Sequence, residues 1–296
     1  MFRLILALAV LAALPWPAAA QVHEPVRIQV NGVELHYIVR GSGEPVILVH
    51  GGTGDYMSWE PQMPVLSAHF KVIAYSRRYS YPNKNSTVPR NYSALVDADD
   101  LAALVQRLDL HRVRVVGQSV GASAALAFAV RHPELTHSVV LGEPPAHGLV
   151  SESPQGKAAR REFMASIWNP AADAFTAGDV RGAMRVLVNG FSGTNRFDDL
   201  APAALEAFMR NAPAMAALTG SSDPFDMLPR AQLKGLRVPA LIITGENTLK
   251  LHRLVNEELI RLLPEAQHVT IPNAGHSAPR DNPAAYNEAV LAFLLR

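Results

Sequence analysis

Residues 115–121 read Val-Val-Gly-Gln-Ser-Val-Gly, an apolar run that breaks into Gly117-x-Ser119-x-Gly121 and leads into an alanine-rich stretch of helical character. A serine at a sharp turn from strand into helix can serve as an exposed nucleophile. Such a turn strains the serine backbone and would drive side chains at −2 and +2 into their neighbours, and glycine at both places removes the collision. A serine hydroxyl is a weak nucleophile at neutral pH. It needs a base within hydrogen-bond reach, a carboxylate to orient that base, and donors for a developing oxyanion.

His276 is the expected base. It lies in Pro272-Asn273-Ala274-Gly275-His276-Ser277, between the last predicted strand and the last predicted helix. A parallel sheet gathers its functional groups in loops at the carboxyl ends of its strands. Of the eleven histidines, His111, His132 and His137 fall at helix ends or strand starts on the wrong edge. His36 and His268 lie within strands and His69 just before one, whereas His147 and His252 are less easily set aside. The oxyanion donors are expected from His50-Gly51-Gly52-Thr53-Gly54, with the amide of Gly52 paired with that of Val120. His50 reads as a brace for this loop rather than a second base. No Gly-Lys-Ser/Thr follows, which excludes a phosphate loop.

The elements that must position these groups are short apolar runs separated by turn residues. Val26–Val30 and Val33–Val39 flank Asn31-Gly32, a hairpin signal. Val46–Val49, Phe70–Tyr75, Val113–Val116, Ser138–Leu141, Ala240–Thr244 and His268–Ile271 are continuous apolar runs, as in strands covered on both faces. Helical periodicity marks Tyr92–Leu108, Val120–Arg131, Leu251–Leu263 and Pro283–Leu295. The alternation predicts an α/β fold with a mostly parallel sheet and helices on both faces. It stops between about Pro144 and Gly235, a helical stretch holding five of the eight methionines and six of the ten phenylalanines. This stretch reads as a cap over the sheet, and a few of its Met and Phe side chains should line an apolar pocket. The expected divisions are a leader at 1–20, a core at 21–143, the cap at 144–236 and the rest of the core at 237–296.

Met1-Phe2-Arg3, the eleven apolar residues Leu4–Leu14 and Ala18-Ala19-Ala20 have the form of a cleavable signal peptide. The apolar run is short of the roughly 20 residues that span a bilayer. Cleavage after Ala20 is expected, with a periplasmic or secreted product and no stable membrane insertion afterwards. There are no cysteines, so neither disulfides nor a thiol nucleophile are available. With 27 basic and 26 acidic residues, the chain has no charge excess that would suggest a nucleic-acid partner. No His-Glu-x-x-His or aspartate-rich calcium loop is present, and neither metal nor cofactor is expected.

Taken together, these motifs resemble the α/β-hydrolases: His-Gly-Gly after the third strand, Gly-Gln-Ser-Val-Gly at the nucleophile turn, a cap after the sixth strand and Gly-His near the end. The resemblance covers nearly all of the chain beyond the leader and implies an eight-stranded sheet with a triad in the order Ser, acid, His. It also implies an Asp in a Gly-x-x-Asp turn after the seventh strand, where this chain has Gly245-Glu246-Asn247-Thr248. Two carboxylates keep the chain order. Glu143 ends the sixth strand, the place used by haloalkane dehalogenases and zearalenone lactonases of this fold, and is preferred. Glu246, two positions before Thr248, is the alternative. Ser76-Arg77-Arg78 is expected to brace loops, and Asp97, Asp99 and Asp100 to be solvated or helix-end charges. The reading is a secreted serine hydrolase of a small, apolar carboxylic ester or lactone. A carbon–carbon bond hydrolase, a proline-type aminopeptidase, a cofactor-free haloperoxidase and a non-catalytic small-molecule binder share the same parts.

Overall fold

A computed structural model describes residues 24–86, 88–225 and 227–296. The expected leader at 1–20 lies outside them. The eight strands are β1 (Val26–Val30), β2 (Val33–Arg40), β3 (Pro45–Val49), β4 (Lys71–Tyr75), β5 (Val113–Gln118), β6 (Thr136–Gly142), β7 (Ala240–Gly245) and β8 (Gln267–Ile271). They form one sheet in the order β1-β2-β4-β3-β5-β6-β7-β8. Only β2 runs against its neighbours, and every pairing from β4 to β8 is parallel. The β1–β2 turn has Asn31 at φ 46° and Gly32 at φ 75°, the two left-handed residues of a tight hairpin.

The continuous apolar runs of β3 to β7 follow from burial on both faces, whereas β8, at the sheet edge and read from sequence in the same way, is mostly exposed. In β3, Ile47 and Val49 enter one core layer while Val46 and Leu48 enter the other, because successive side chains point to opposite faces. Helices α2 (Ala94–Arg107), α3 (Val120–Arg131) and α10 (Lys250–Leu262) cover the first face. Helices α1 (Met63–Ser67), α11 (Ala278–Asp281) and α12 (Pro283–Leu294) cover the second. Chain order reverses direction across the sheet between β3 and β5. Loops leaving the carboxyl ends of those two strands therefore diverge and open a crevice. One carries His50, the other Ser119.

Between β6 and β7 lie six helices: α4 (Pro154–Phe163), α5 (Asn169–Thr176), α6 (Val180–Ser192), α7 (Pro202–Met209), α8 (Ala212–Thr219) and α9 (Arg230–Lys234). Their ends carry ordinary signals. The Ser153 and Asp179 side chains accept from the amides of Gly156 and Gly182, and Gly193, at φ 68°, ends α6. A π-helical turn, Met164–Trp168, joins α4 to α5.

Asp97 and Asp100 depart from expectation. Both are buried. Asp97 pairs with Arg77 at 2.5 Å, and Asp100 accepts two hydrogen bonds from Arg78, at 2.8 and 2.7 Å. Helix α2 packs these carboxylates against the loop after β4, and arginines from that loop neutralise them. Asp99 remains on the surface, paired with Arg131.

Candidate active site

Ser119 is the residue between β5 and α3, with φ 54° and ψ −124°, a backbone conformation that a residue with a Cβ rarely adopts. Its amide donates to the Gly142 carbonyl at 2.7 Å, tying the bend to the end of β6. The two flanking glycines are sterically required. A Cβ on Gly117 would lie 2.4 Å from the Gly121 carbonyl oxygen, and one on Gly121 would lie 2.2 Å from that of Val49.

Ser119 Oγ lies 3.0 Å from His276 Nε2, and His276 Nδ1 lies 2.7 Å from Glu143 Oε2. An ionised carboxylate only accepts, so Nδ1 carries the imidazole proton and Nε2 is free to accept from the serine hydroxyl. Glu143 is buried and sits at φ 49° just beyond β6. Its Oε1 accepts from the Gly245 amide at 2.8 Å and its Oε2 from the Thr248 hydroxyl at 2.6 Å. Gln118 donates to the His276 carbonyl at 2.6 Å and fixes the backbone of the histidine loop. The structure thus brings Ser119, His276 and Glu143 into one chain of hydrogen bonds. Glu246 stands outside it, accepting from the Asn273 amide at 2.8 Å on the surface.

Gly52 and Val120 both border the space beside Ser119, and among the described residues neither amide has an acceptor within the protein. The loop that carries Gly52 is held from behind. His50 Nδ1 donates to the Gly51 carbonyl at 2.8 Å, its Nε2 accepts the Arg77 amide at 2.9 Å, and Arg77 Nε donates to the His50 carbonyl at 3.1 Å. Burial and then the Arg77 charge hold the His50 pKa well below its ordinary value, so His50 is a neutral brace with both ring nitrogens occupied.

The His276 ring stacks on His252, centroids 4.1 Å apart at 24°, and His147 lies beyond, 6.4 Å from His252. Burial and then the neighbouring imidazoles His276 and His147 depress the His252 pKa. Its Nδ1 is 3.8 Å from Glu143 Oε2, too long for a hydrogen bond, so the neutral ring is not ion-paired. Ligand atoms of Glu143, His252 and His276 lie within 4.8 Å of one another, close enough for a cation. Glu143 and His276 are already committed to each other, however, and an ion would have to displace that hydrogen bond.

Two pockets meet at Ser119. The larger is bordered by Phe191 and Phe208 of the cap and by Arg196 and Arg280. The smaller is walled by Phe163, Trp168, Met215 and Phe225. Of the cap methionines, Met215 reaches a chamber, while Met184 is buried in the core and Met164, Met209 and Met227 pack at its margin. Arg196 and Arg280 are neighbours of the site that the sequence reading missed, whereas His252 was left open there and Thr248 was placed at the turn position of the expected acid. Nothing in local sequence marks the two arginines.

The fold and this site define a hydrolase. The chain belongs to the α/β-hydrolase family, whose alpha/beta hydrolase fold pattern it matches over residues 44–283. It is similar to RutD of Pantoea ananatis, 27% identical over 285 residues that span 88% of this chain and 94% of that one. Its fold is similar to that of an enol-lactonase from Burkholderia xenovorans, with TM-score 0.75 and 23% identity over 92% of this chain and all of that one. A carboxylesterase, CesB, from Bacillus subtilis superposes with TM-score 0.72 and 22% identity, over 92% and 91% of the two chains.

Proposed function

We propose that this hydrolase cleaves a carboxylic ester, or a lactone, through an acyl-enzyme on Ser119. The observation that carries the reading is the relay from Ser119 through His276 to Glu143, at 3.0 and 2.7 Å, beside two amides with no internal acceptor. Ser119 Oγ attacks the carbonyl carbon as His276 Nε2 takes its proton. Glu143 Oε2 holds the Nδ1 proton and offsets the imidazolium charge. The amides of Gly52 and Val120 donate to the oxyanion, each such donor contributing on the order of 10²–10³ in rate. Collapse expels the alkoxide, which takes the proton from His276. Water then attacks the acyl group with His276 again as base, releasing the acid and restoring Ser119. In a lactone the alcohol and acid stay in one product. An enol-lactonase and a carboxylesterase are built on this fold, which supports the reading by analogy only.

The test is a panel of p-nitrophenyl esters of increasing chain length beside a lactone panel, with a fluorophosphonate probe. Turnover with labelling at Ser119, both abolished in Ser119→Ala, supports the reading. A protein that turns over neither panel and does not label is a binder. Export belongs to the same proposal, supported by the composition of residues 1–20. A periplasmic or secreted product whose intact mass begins at Gln21 supports it, and retention of residues 1–20 overturns it.

A further inference from the structure

The larger chamber carries two guanidinium groups and no acid. Among the described residues that border it there is neither Asp nor Glu, while Arg196 follows cap helix α6 and Arg280 stands on core helix α11. Among the described residues, neither arginine side chain has an ion pair or hydrogen-bond partner. Elsewhere Arg77, Arg78, Arg210 and Arg230 each have a carboxylate partner. Arg280 lies over the Phe208 ring, 5.0 Å from its centroid, a contact that orients the planar guanidinium. Packing around its guanidinium and then the positive charge of Arg196 lower its pKa from the ordinary value, while the carboxylates of Asp281 and Asp55 offset part of the effect. Two like charges that face one chamber with no carboxylate in its lining are the reverse of a structural ion pair. Ser192 and Ser277 border the same chamber.

We propose that Arg196 and Arg280 form a carboxylate site spanning cap and core, and that the natural substrate bears a free carboxylate on the portion held in the larger chamber. The scissile carbonyl sits at Ser119, which borders the same chamber. This rests on the ester-hydrolase reading above and deepens it: the substrate is a half-ester or lactone acid rather than a wholly apolar ester. An arginine pair suits a carboxylate because each guanidinium can donate two parallel hydrogen bonds to it.

Two measurements test this on the whole enzyme. The first compares kcat/KM for mono-p-nitrophenyl glutarate with that for p-nitrophenyl pentanoate, which matches its length without the charge. The wild type should favour the anionic ester, and the double variant Arg196→Gln, Arg280→Gln should lower the ratio by about tenfold or more. A ratio that is unchanged in the variant, or a wild type that favours the neutral ester, overturns the proposal. The second is thermal stabilisation by glutarate, expected in the wild type and in Ser119→Ala and lost in the double variant. No stabilisation of the wild type, or equal stabilisation of the variant, also overturns it. Failure of the ester-hydrolase reading looks different: no ester is turned over and Ser119 does not label, while the glutarate measurement still reports on the arginines.

Discussion

The Thr248 hydroxyl donates to Glu143 Oε2 at 2.6 Å, the same oxygen that faces His276 Nδ1 at 2.7 Å. Thr248 occupies the turn position where many relatives place the acid itself. Here the carboxylate arrives from the neighbouring strand, and the hydroxyl pins it. Thr248 is a positioning residue: it acts on the imidazole only through Glu143. A hydrogen bond to a charged group contributes about 1.5–3 kcal/mol. Thr248→Val should therefore lower kcat by roughly ten- to a hundredfold, with KM little changed and Thr248→Ser restoring most of the loss. Steady-state kinetics on one p-nitrophenyl ester decide it. A KM effect alone, or no rescue by serine, would count against the role.

The two candidate acids separate cleanly by mutation. Glu143→Ala leaves the imidazole without its orienting partner and should cost on the order of 10⁴ in kcat. Glu246→Ala removes one surface hydrogen bond to the Asn273 amide and should stay within about tenfold of wild type. Near-normal turnover by Glu143→Ala would exclude it as the acid.

Arg77 and Asp97 form a buried pair behind the loop that carries Gly52, with the Tyr92 hydroxyl 2.9 Å from Asp97. Breaking a buried pair from one side strands the remaining charge. Asp97→Asn should lower stability by about 3–5 kcal/mol, measured by urea unfolding. Because Arg77 Nε also holds the His50 carbonyl, the folded fraction should show reduced kcat as well.

Acid should destabilise the fold through its buried neutral histidines. Burial, then the charges of Arg160 and His276, lower the His147 pKa to about 3, against about 6.5 when unfolded. Below pH 6.5 the unfolded chain binds a proton that the folded chain refuses. The contribution is therefore complete above about pH 6.5 and is lost progressively as pH falls toward 3, at up to about 1.4 kcal/mol per pH unit. Among the described residues both ring nitrogens of His147 lack partners, and the ring lies 4.0 Å from that of Phe225. His147→Phe should flatten the stability–pH slope between pH 6 and 4 by about that amount, and urea titrations at several pH values would reveal an unchanged slope.

What could be read without coordinates were the features set by neighbours along the chain. The bend at Ser119 follows from glycines two residues to either side. The strands follow from short apolar runs, and the hairpin from Asn31-Gly32. The sequence preferred Glu143 over Glu246, but only the tertiary structure shows which of them reaches His276, across 133 positions of sequence. That meeting depends on β6 and β7 lying side by side, so that Gly245 and Thr248 can clamp a side chain from the adjacent strand. The burial of Asp97 and Asp100, read from sequence as solvated or helix-end charges, depends in the same way on α2 docking against the loop after β4. The arginine pair is the extreme case. Arg196 and Arg280 lie in unrelated segments with no local pattern, and what makes them a site is the docking of cap on core, where electrostatics acts through space rather than along the chain.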